Sequence, residues 1–312
     1  MAPHIDLLSP SSFAGDQPHD QYEWLRENAP VHFHPEPDGR GFWAVTRHRD
    51  VKAVGRDTAT FSSSPTIMLH DPSDNEGGAL GDHAMMLMTD PPVHTRMRRL
   101  VARDFNPKQS AAMTQRIEEL ATQIVDAVIE RGECDLVTDL AGEMPSFVIA
   151  EMLGIPLDDG RQLYHHTEAL HSSEEAVGAD ARAEAFGNMF TYSQEVYAQK
   201  RSSPGDDLAT MLAHAEIDGV EIDAVDFFLW FLLLVDAGGD TTRNLVGGGM
   251  WALFQNPAEL ARLRADPVGL MPTAIEELLR WVTPVIHMRR TATRSAEIAG
   301  QAIAEGDKVV MF

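Results

Sequence analysis

The 312-residue chain has the composition of a globular protein, with 44% hydrophobic and 23% charged residues. Its 25 basic and 48 acidic side chains give a net charge of −23, which argues against a nucleic-acid partner because that affinity comes mainly from Lys and Arg on phosphates. The longest apolar run, residues 227–235, is shorter than the roughly 20 residues that cross a bilayer. Neither a membrane span nor a signal peptide is therefore predicted.

The number of cysteines further limits the classes of protein to which the chain could belong. The single cysteine, Cys134, excludes an intrachain disulfide and a cysteine-based metal cluster. Because this usage is compatible with a reducing compartment, we expect a cytoplasmic protein. Cys134 lies between two predicted helices, and we expect it to be a packing residue, since free cysteine behaves mainly as a small hydrophobe.

Most of the chain has the spacing of amphipathic helices. After a strand at 41–46, the pattern predicts a helix over about 92–105, and Ser110 is predicted to cap the next helix, which continues to Gly132. Further helices are predicted at about 140–153, 160–171, 181–201, 206–215, 223–254 and 270–281, and further strands near 287–293 and 307–312.

The order of these elements indicates the fold class. Strands lie near the two ends and helices fill the middle, which predicts a mainly α fold with small β regions rather than βαβ alternation. Two loops are predicted, an acidic and glycine-rich one at 71–82 and a second one at 172–180 between two helices. Nothing in the sequence resembles a linker or a repeat.

The segment AGGDTT, residues 237–242, places two adjacent glycines inside an apolar helix, at a cost of about 2 kcal/mol relative to alanine. In one interpretation the helix ends at Gly238 in a left-handed cap. Helical spacing after Thr242 favours the other interpretation, in which the missing side chains let a flat ligand or another helix approach the backbone. Asp240 and Thr241 would then form an acid–alcohol pair suited to relaying protons.

Two further motifs place charges at helical spacing. Glu277 and Arg280 are three residues apart, which is usual for a solvent-facing pair on a helix. Their apolar neighbours instead indicate a helix with little solvent face, on which a buried pair would fix geometry. His94 and Arg98 share one helical face and are predicted to bind an anionic ligand. A second stripe is either a solvated face or a surface for an acidic partner protein, and it consists of Arg96, Arg99 and Arg103.

Together with the segment MRRTA at 288–292, these motifs resemble, in their order, those of the cytochrome P450 family, the haem-thiolate monooxygenases. The resemblance is to soluble bacterial members and extends from about residue 42 to 312. It implies a cytochrome P450 fold whose C-terminal part is missing, with residues 1–312 forming a single incomplete domain. The expected regions are an N-terminal β/helix region at about 1–60, a helical body at about 90–282 and the start of a C-terminal β region at about 285–312.

The resemblance also implies a chemistry and partners. Members of the family use haem b to insert one oxygen atom of O2 into a C–H bond of a lipophilic molecule. Electrons reach the haem from NAD(P)H through a ferredoxin reductase and a ferredoxin. The segment 71–82 and the helices around 160–201 would correspond to the substrate lid of the family.

Individual roles follow from the resemblance, position by position. Asp240 and Thr241 match the pair that helps to deliver protons. The positions that match haem contacts are His94, Arg98, Ala237, Gly238 and Arg290, with Arg289 as a weaker substitute for Arg290. Glu277 and Arg280 match a structural pair, and the docking surface for ferredoxin would include Arg96, Arg99 and Arg103.

The sequence departs from the family pattern at the haem ligand. The axial cysteine of the family lies in a glycine-rich loop downstream of the Glu-x-x-Arg motif, and we do not transfer its role to Cys134. No metal ligand is therefore assigned, and we expect the chain as given to be an inactive fragment that binds haem poorly. The alternative is a non-catalytic helical protein of the same fold that binds a lipophilic ligand. The least favoured hypothesis is a metal enzyme that uses some of the 13 histidines. No role is assigned to Asp236.

Overall fold

The computed structural model describes residues 3–14, 17–37, 39–71, 83–172 and 174–312. The chain divides into two compact units, of which the first comprises Met1–Arg96 with Val285–Phe312 and the second Met97–Pro284. Apart from Asp71, the predicted loop at 71–82 lies outside the described residues. The assignment of residues 1–312 to one domain stays a prediction.

Helices predominate over strands. The α-helices are α1 (His19–Asn28), α2 (His48–Arg56), α3 (Val93–Val101), α4 (Pro107–Ala112), α5 (Thr114–Ile129), α6 (Glu143–Leu153), α7 (Leu157–His171), α8 (Glu174–Val177), α9 (Ala179–Ser202), α10 (Leu208–Ala213), α11 (Ala224–Gln255), α12 (Pro257–Ala265) and α13 (Pro267–Val282). A π-helix, Leu136–Ala141, precedes α6, and 3-10 helices lie at Pro10–Phe13 and Met86–Met88. The strands are β1 (Val31–His34), β2 (Phe42–Val45), β3 (Phe61–Ser62), β4 (Glu216–Ile217), β5 (Val220–Glu221), β6 (Met288–Ala292), β7 (Ala296–Ile298), β8 (Gln301–Ile303) and β9 (Lys308–Met311).

The first unit is built around a five-stranded sheet with the order β1-β2-β9-β6-β3. β2 pairs with β9 in parallel, and the other pairs are antiparallel, so strands from both ends of the sequence join in one sheet. Alternation along β2 buries both faces of the sheet: Phe42 and Ala44 pack with Val310 on one face, and Val45 packs with Val309 on the other. This sheet holds β6, which carries the two arginines predicted near the end of the chain.

The second unit consists of helices around α11, which is 32 residues long. The carboxylate of Asp223 caps α11 by accepting hydrogen bonds from the backbone N–H groups of Val225 and Asp226, each at 2.9 Å. The first half of α11 is an apolar run whose side chains are nearly all buried. Along its length, α11 contacts α6, α7, α9 and α13. The second half begins with the AGGDTT segment.

The mainly α fold with small β regions is confirmed, and the helices predicted from residue 92 onward are present with shifted ends. The prediction of Ser110 as a cap is wrong, because Ser110 lies inside α4, and Asn106 caps α4 by accepting from the N–H groups of Lys108 and Gln109. The segment predicted as a loop at 172–180 contains α8. Its glycine, Gly178, has a φ of 82° just before α9 begins.

The lengths and compositions of the described helices bear on whether they could span a membrane. Among them, every helix taken singly is too short or too polar to cross a membrane. One pair of consecutive helical segments, Leu136–Leu153 and Leu157–His171, bent by 119°, meets the criteria on length and composition alone.

Candidate active site

The AGGDTT segment lies within α11, which continues as a helix through both glycines, so the interpretation of Gly238 as a helix end is wrong. Ala237 is exposed, and one turn later the Thr241 hydroxyl donates a hydrogen bond to the Ala237 carbonyl oxygen at 2.8 Å. A Cβ atom built on Gly239 would meet no atom of the described residues within 4 Å. This turn therefore has free space at Gly239, whereas a Cβ atom on Gly238 would lie 3.4 Å from Cδ1 of Ile149 on α6.

A second glycine group in α11, Gly247 to Gly249, has a different environment. A Cβ atom on Gly248 would lie 2.9 Å from Cγ1 of Val282, and one on Gly249 would lie 3.2 Å from Cδ1 of Leu278. Both contacts come from α13, so these glycines allow the two helices to approach closely. Of the two kinds of neighbour expected at small residues, another helix occupies the second group, whereas the turn at 237–241, called the open turn below, has free space at Gly239.

Asp240 and Thr241 have separate partners because consecutive residues of a helix point about 100° apart. Arg243 donates a short hydrogen bond to Oδ1 of Asp240, and the Asn244 side chain donates to Oδ2 at 3.0 Å. Nη1 of Arg243 lies 2.7 Å from Oε1 of Glu168 on α7. The acid of the signature is therefore held by its own helix, and through Arg243 it is linked to α7.

Arg243 is the centre of a half-buried polar cluster. Its guanidinium also donates to the Tyr164 hydroxyl at 3.0 Å, and that hydroxyl donates to Glu168 at 2.9 Å. Burial alone lowers the pKa of Arg243, but its contacts with Tyr164, Asp240 and Glu168 outweigh this effect and raise it. Arg243 and Asn244 were not predicted from the sequence. They follow Asp240 by three and four residues, and this helical spacing could have indicated them as its partners.

The basic residues predicted to bind an anion and a partner lie on α3 and just after it. His94 is half-buried and Arg98 is exposed, and the two are one helical turn apart. In the predicted docking stripe, Arg99 and Arg103 are exposed, whereas Arg96 is half-buried. The boundary between the two units falls between Arg96 and Met97, within α3.

The two arginines of β6 differ in environment because successive residues of a strand point to opposite faces. Arg289 is 1% exposed; its guanidinium pairs with Asp71 at 2.7 Å and donates to the Leu69 carbonyl oxygen at 3.3 Å. Arg290 is half-buried, and among the described residues its only side-chain hydrogen bond goes to the Arg289 carbonyl oxygen at 2.8 Å. Burial lowers the pKa of Arg290, against the opposing effect of Asp90. Arg290 can therefore receive an anion, whereas Arg289 is already engaged.

Glu277 and Arg280 form the predicted pair, but the pair is not buried. Their side chains are 60% and 62% exposed and make two hydrogen bonds, at 2.6 and 2.7 Å, and Arg280 lowers the pKa of Glu277. All of α13 is described, and none of its 16 residues is buried. The prediction of little solvent face was therefore wrong, because apolar side chains such as Ile275 and Leu279 remain 42% and 40% exposed.

The structure also shows the surroundings of two residues outside the AGGDTT segment, Cys134 and Asp236. Cys134 is exposed, so the prediction that it packs in the interior is wrong. Asp236, which immediately precedes the AGGDTT segment, contacts His171, the last residue of α7.

The proteins that this chain resembles are monooxygenases. The chain belongs to the cytochrome P450 family. It is 36% identical over 98% of its length to linalool 8-monooxygenase of Pseudomonas putida, of which it covers 78%. It is 35% identical over 99% of its length to a putative cytochrome P450 126 of Mycobacterium tuberculosis, of which it covers 77%. No protein-family model matches the chain.

Solved structures agree with the family and the fold. A Mycobacterium marinum cytochrome P450 in complex with pseudoionone has a TM-score of 0.90 and 34% identity, covering 100% of this chain and 79% of that chain. A cytochrome P450 of the Bacillus subtilis bacillaene polyketide synthase has a TM-score of 0.83 and 30% identity, covering 98% of this chain and 77% of that chain. The protein is thus an oxidoreductase at the level of its family, and the family implies haem iron, O2 and lipophilic substrates.

Each unit, taken by itself, contains described residues whose chemistry suits a haem. In the second unit, a flat ring needs a part of α11 without side chains in its path, and Gly239 has free space beside it. Carboxylate groups on the ring need cations, and Arg290 has a half-buried guanidinium without a hydrogen-bonded carboxylate among the described residues. His94 and Arg98 are further cationic or potentially cationic groups on one face of α3.

Proposed function

We propose that the protein is a haem b-dependent monooxygenase that inserts one oxygen atom of O2 into a C–H bond of a lipophilic small molecule. The observation that carries this proposal is the 36% identity to linalool 8-monooxygenase over 98% of the chain. Other relatives are named methyl-branched lipid omega-hydroxylase and steroid C26-monooxygenase, and a solved relative is bound to pseudoionone. These names support an apolar substrate.

The cofactor supplies the oxidative chemistry when it is bound, and the protein supplies binding, orientation and control of protons. In this proposal Ala237 and Gly238 contact the ring through the open turn of α11. Arg290, His94 and Arg98 bind its carboxylates, which charge-assisted hydrogen bonds hold strongly.

In this proposal, the acid and the alcohol of the AGGDTT segment, Asp240 and Thr241, deliver protons. Thr241 holds its proton at Oγ1, beside the open turn, where the hydroxyl donates to the Ala237 carbonyl oxygen. Asp240, with 24% of its side chain exposed, exchanges protons with water and is oriented by Arg243 and Asn244. A positioned acid–base group of this kind contributes about 10²- to 10⁴-fold to a rate.

Electrons come from NAD(P)H through a ferredoxin reductase and a ferredoxin in the cytoplasm. Arg99 and Arg103 are exposed cations on an otherwise acidic chain, which suits an acidic ferredoxin, and Arg96 belongs to the same stripe. Glu277 and Arg280 keep a structural role as a bidentate pair.

The proposal is tested by titrating the full-length protein, purified from cells supplied with a haem precursor, with linalool. We expect a haem absorption spectrum and a change of that spectrum on binding. Binding of linalool by calorimetry without any haem would instead support the helical binding protein, the alternative function. Absence of both haem and linalool binding would contradict both functions.

A further inference from the structure

The C-terminal turn of α7 contacts α11 through an ion pair that takes no part in the proposed function. Nε2 of His171 makes a short contact with Oδ1 of Asp236. The two side chains are 44% and 36% exposed, so water reaches the pair. Because Asp236 precedes Ala237, this contact joins the end of α7 to the beginning of the open turn.

A second contact joins the same two helices one turn earlier on α7. There Glu168 accepts from Arg243 at 2.7 Å. An arginine keeps its charge throughout the pH range of proteins, whereas a histidine changes its charge near neutrality. The end of α7 is thus held on α11 by one permanent charge contact and by one that titrates.

We propose that His171 and Asp236 form a protonation-dependent latch that fixes the last turn of α7 on α11. When His171 carries a proton, the charge-assisted contact holds the turn in place. When His171 is neutral, the contact weakens, and α7 remains attached through Glu168 and Arg243. The latch needs neither haem nor turnover, so it stands apart from the proposed function.

Among the described side chains, the charged groups with the strongest effect on His171 are Asp236, Asp240 and Arg243, all on α11. Charged side chains on two other helices that pack on α7 lie near other residues of α7. Those contacts are Glu143 of α6 with Arg161 and Glu184 of α9 near His166. Asp236 therefore dominates the surroundings of His171.

The balance of these groups sets the direction of the pH dependence. The hydrogen bond with Asp236 raises the pKa of His171 and outweighs the opposite effect of burial. A raised pKa in the folded protein means that the contact is fully formed below the value of a free histidine, about 6.5, and is lost as pH rises through the raised pKa. The latch is therefore closed at low pH and open at high pH.

The test follows the ring resonance of His171 by NMR as a function of pH and assigns it by its loss in His171→Gln. We expect the pKa of His171 to lie above the ordinary value and to fall in Asp236→Asn, a nearly isosteric change. In the same samples, hydrogen exchange of the backbone near 168–172 is measured and corrected for the intrinsic pH effect. Protection should decrease about two- to fivefold as His171 loses its proton, the range for a partly exposed ion pair.

His165→Gln is the matched control, because His165 contacts Glu168 within α7, at 3.3 Å, and does not join α7 to α11. That variant should keep both the raised pKa of His171 and the pH-dependent protection. The proposal is overturned if His171 titrates at or below its ordinary value, or if Asp236→Asn leaves its pKa and the protection unchanged.

Discussion

The Thr241 hydroxyl donates to the Ala237 carbonyl oxygen at 2.8 Å, one turn back along α11. The bond keeps the alcohol of the AGGDTT segment on the same side as the exposed Ala237, whereas Asp240 turns toward Arg243. The acid and the alcohol are therefore held by independent contacts, and their variants should have separable effects.

Replacing Thr241 by alanine removes the hydroxyl that holds the proton beside the open turn. We expect product formation to fall by about 10²-fold, the lower range for a lost acid–base group, while O2 consumption continues and yields hydrogen peroxide. Product and peroxide per O2 consumed are measured together. Thr241→Ser keeps the hydroxyl and should retain most of the coupling, and wild-type coupling in Thr241→Ala would remove Thr241 from proton delivery.

The two glycine groups of α11 should respond differently to alanine. Gly239→Ala meets open space, so we expect it to raise the free energy of unfolding by about 1 kcal/mol through helix propensity. Gly248→Ala places its Cβ 2.9 Å from Val282, and overpacking should cost about 1–3 kcal/mol relative to Gly239→Ala. Urea denaturation of both variants measures the difference, and equal stabilities would refute the close approach of α13.

Substitutions of the two arginines of β6 should have different effects, one on cofactor binding and the other on the stability of the fold. Arg290→Gln removes a guanidinium that the described residues leave without a carboxylate, so we expect faster haem loss to an acceptor protein and little change in unfolding of the haem-free protein. Arg289→Gln breaks a buried charge-assisted contact with Asp71 and should cost about 1.5–3 kcal/mol of stability. The reverse assignment of effects would show that Arg289, not Arg290, binds the cofactor.

Charge reversal at Arg99 tests the docking surface. Arg99→Glu should slow reduction by an acidic ferredoxin about tenfold at low ionic strength, because steering by surface charge contributes 10-fold or more to association, and salt should diminish the difference. Arg264→Glu, an equal charge change at an exposed residue of α12, is the control and should leave the rate near that of the wild type. Unchanged reduction in Arg99→Glu at low salt would contradict the assignment.

Periodicity predicted the helices well because α6, α7, α9 and α11 each bury a continuous apolar face, which leaves a regular spacing in the sequence. It failed where burial depends on neighbours distant in sequence. The apolar residues of α13 have the same pattern as a buried helix, yet this helix buries none of them. Likewise, the exposure of Cys134, which lies between two helices, does not follow from helical periodicity.

The candidate site was predictable only in part, for a related reason. Asp240 and Thr241 stand out as adjacent residues beside a glycine pair, but their partners depend on which helix packs alongside. The contact of Arg243 with Glu168 and that of Asp236 with His171 each join residues more than 60 positions apart. Helical spacing could have indicated Arg243 as a partner of Asp240, but only the packing of α7 on α11 brings Glu168 and His171 into place.

The most direct test of the central claim is the origin of the oxygen atom in the product. The purified full-length protein is supplied with linalool, NADPH, a ferredoxin reductase and a ferredoxin under isotopically labelled O2, and the products are analysed by mass spectrometry. The account predicts one labelled oxygen atom in each product molecule, with the label absent when the gas is unlabelled. A product that takes its oxygen from water, or haem-loaded protein that gives no oxygenated product, would contradict it.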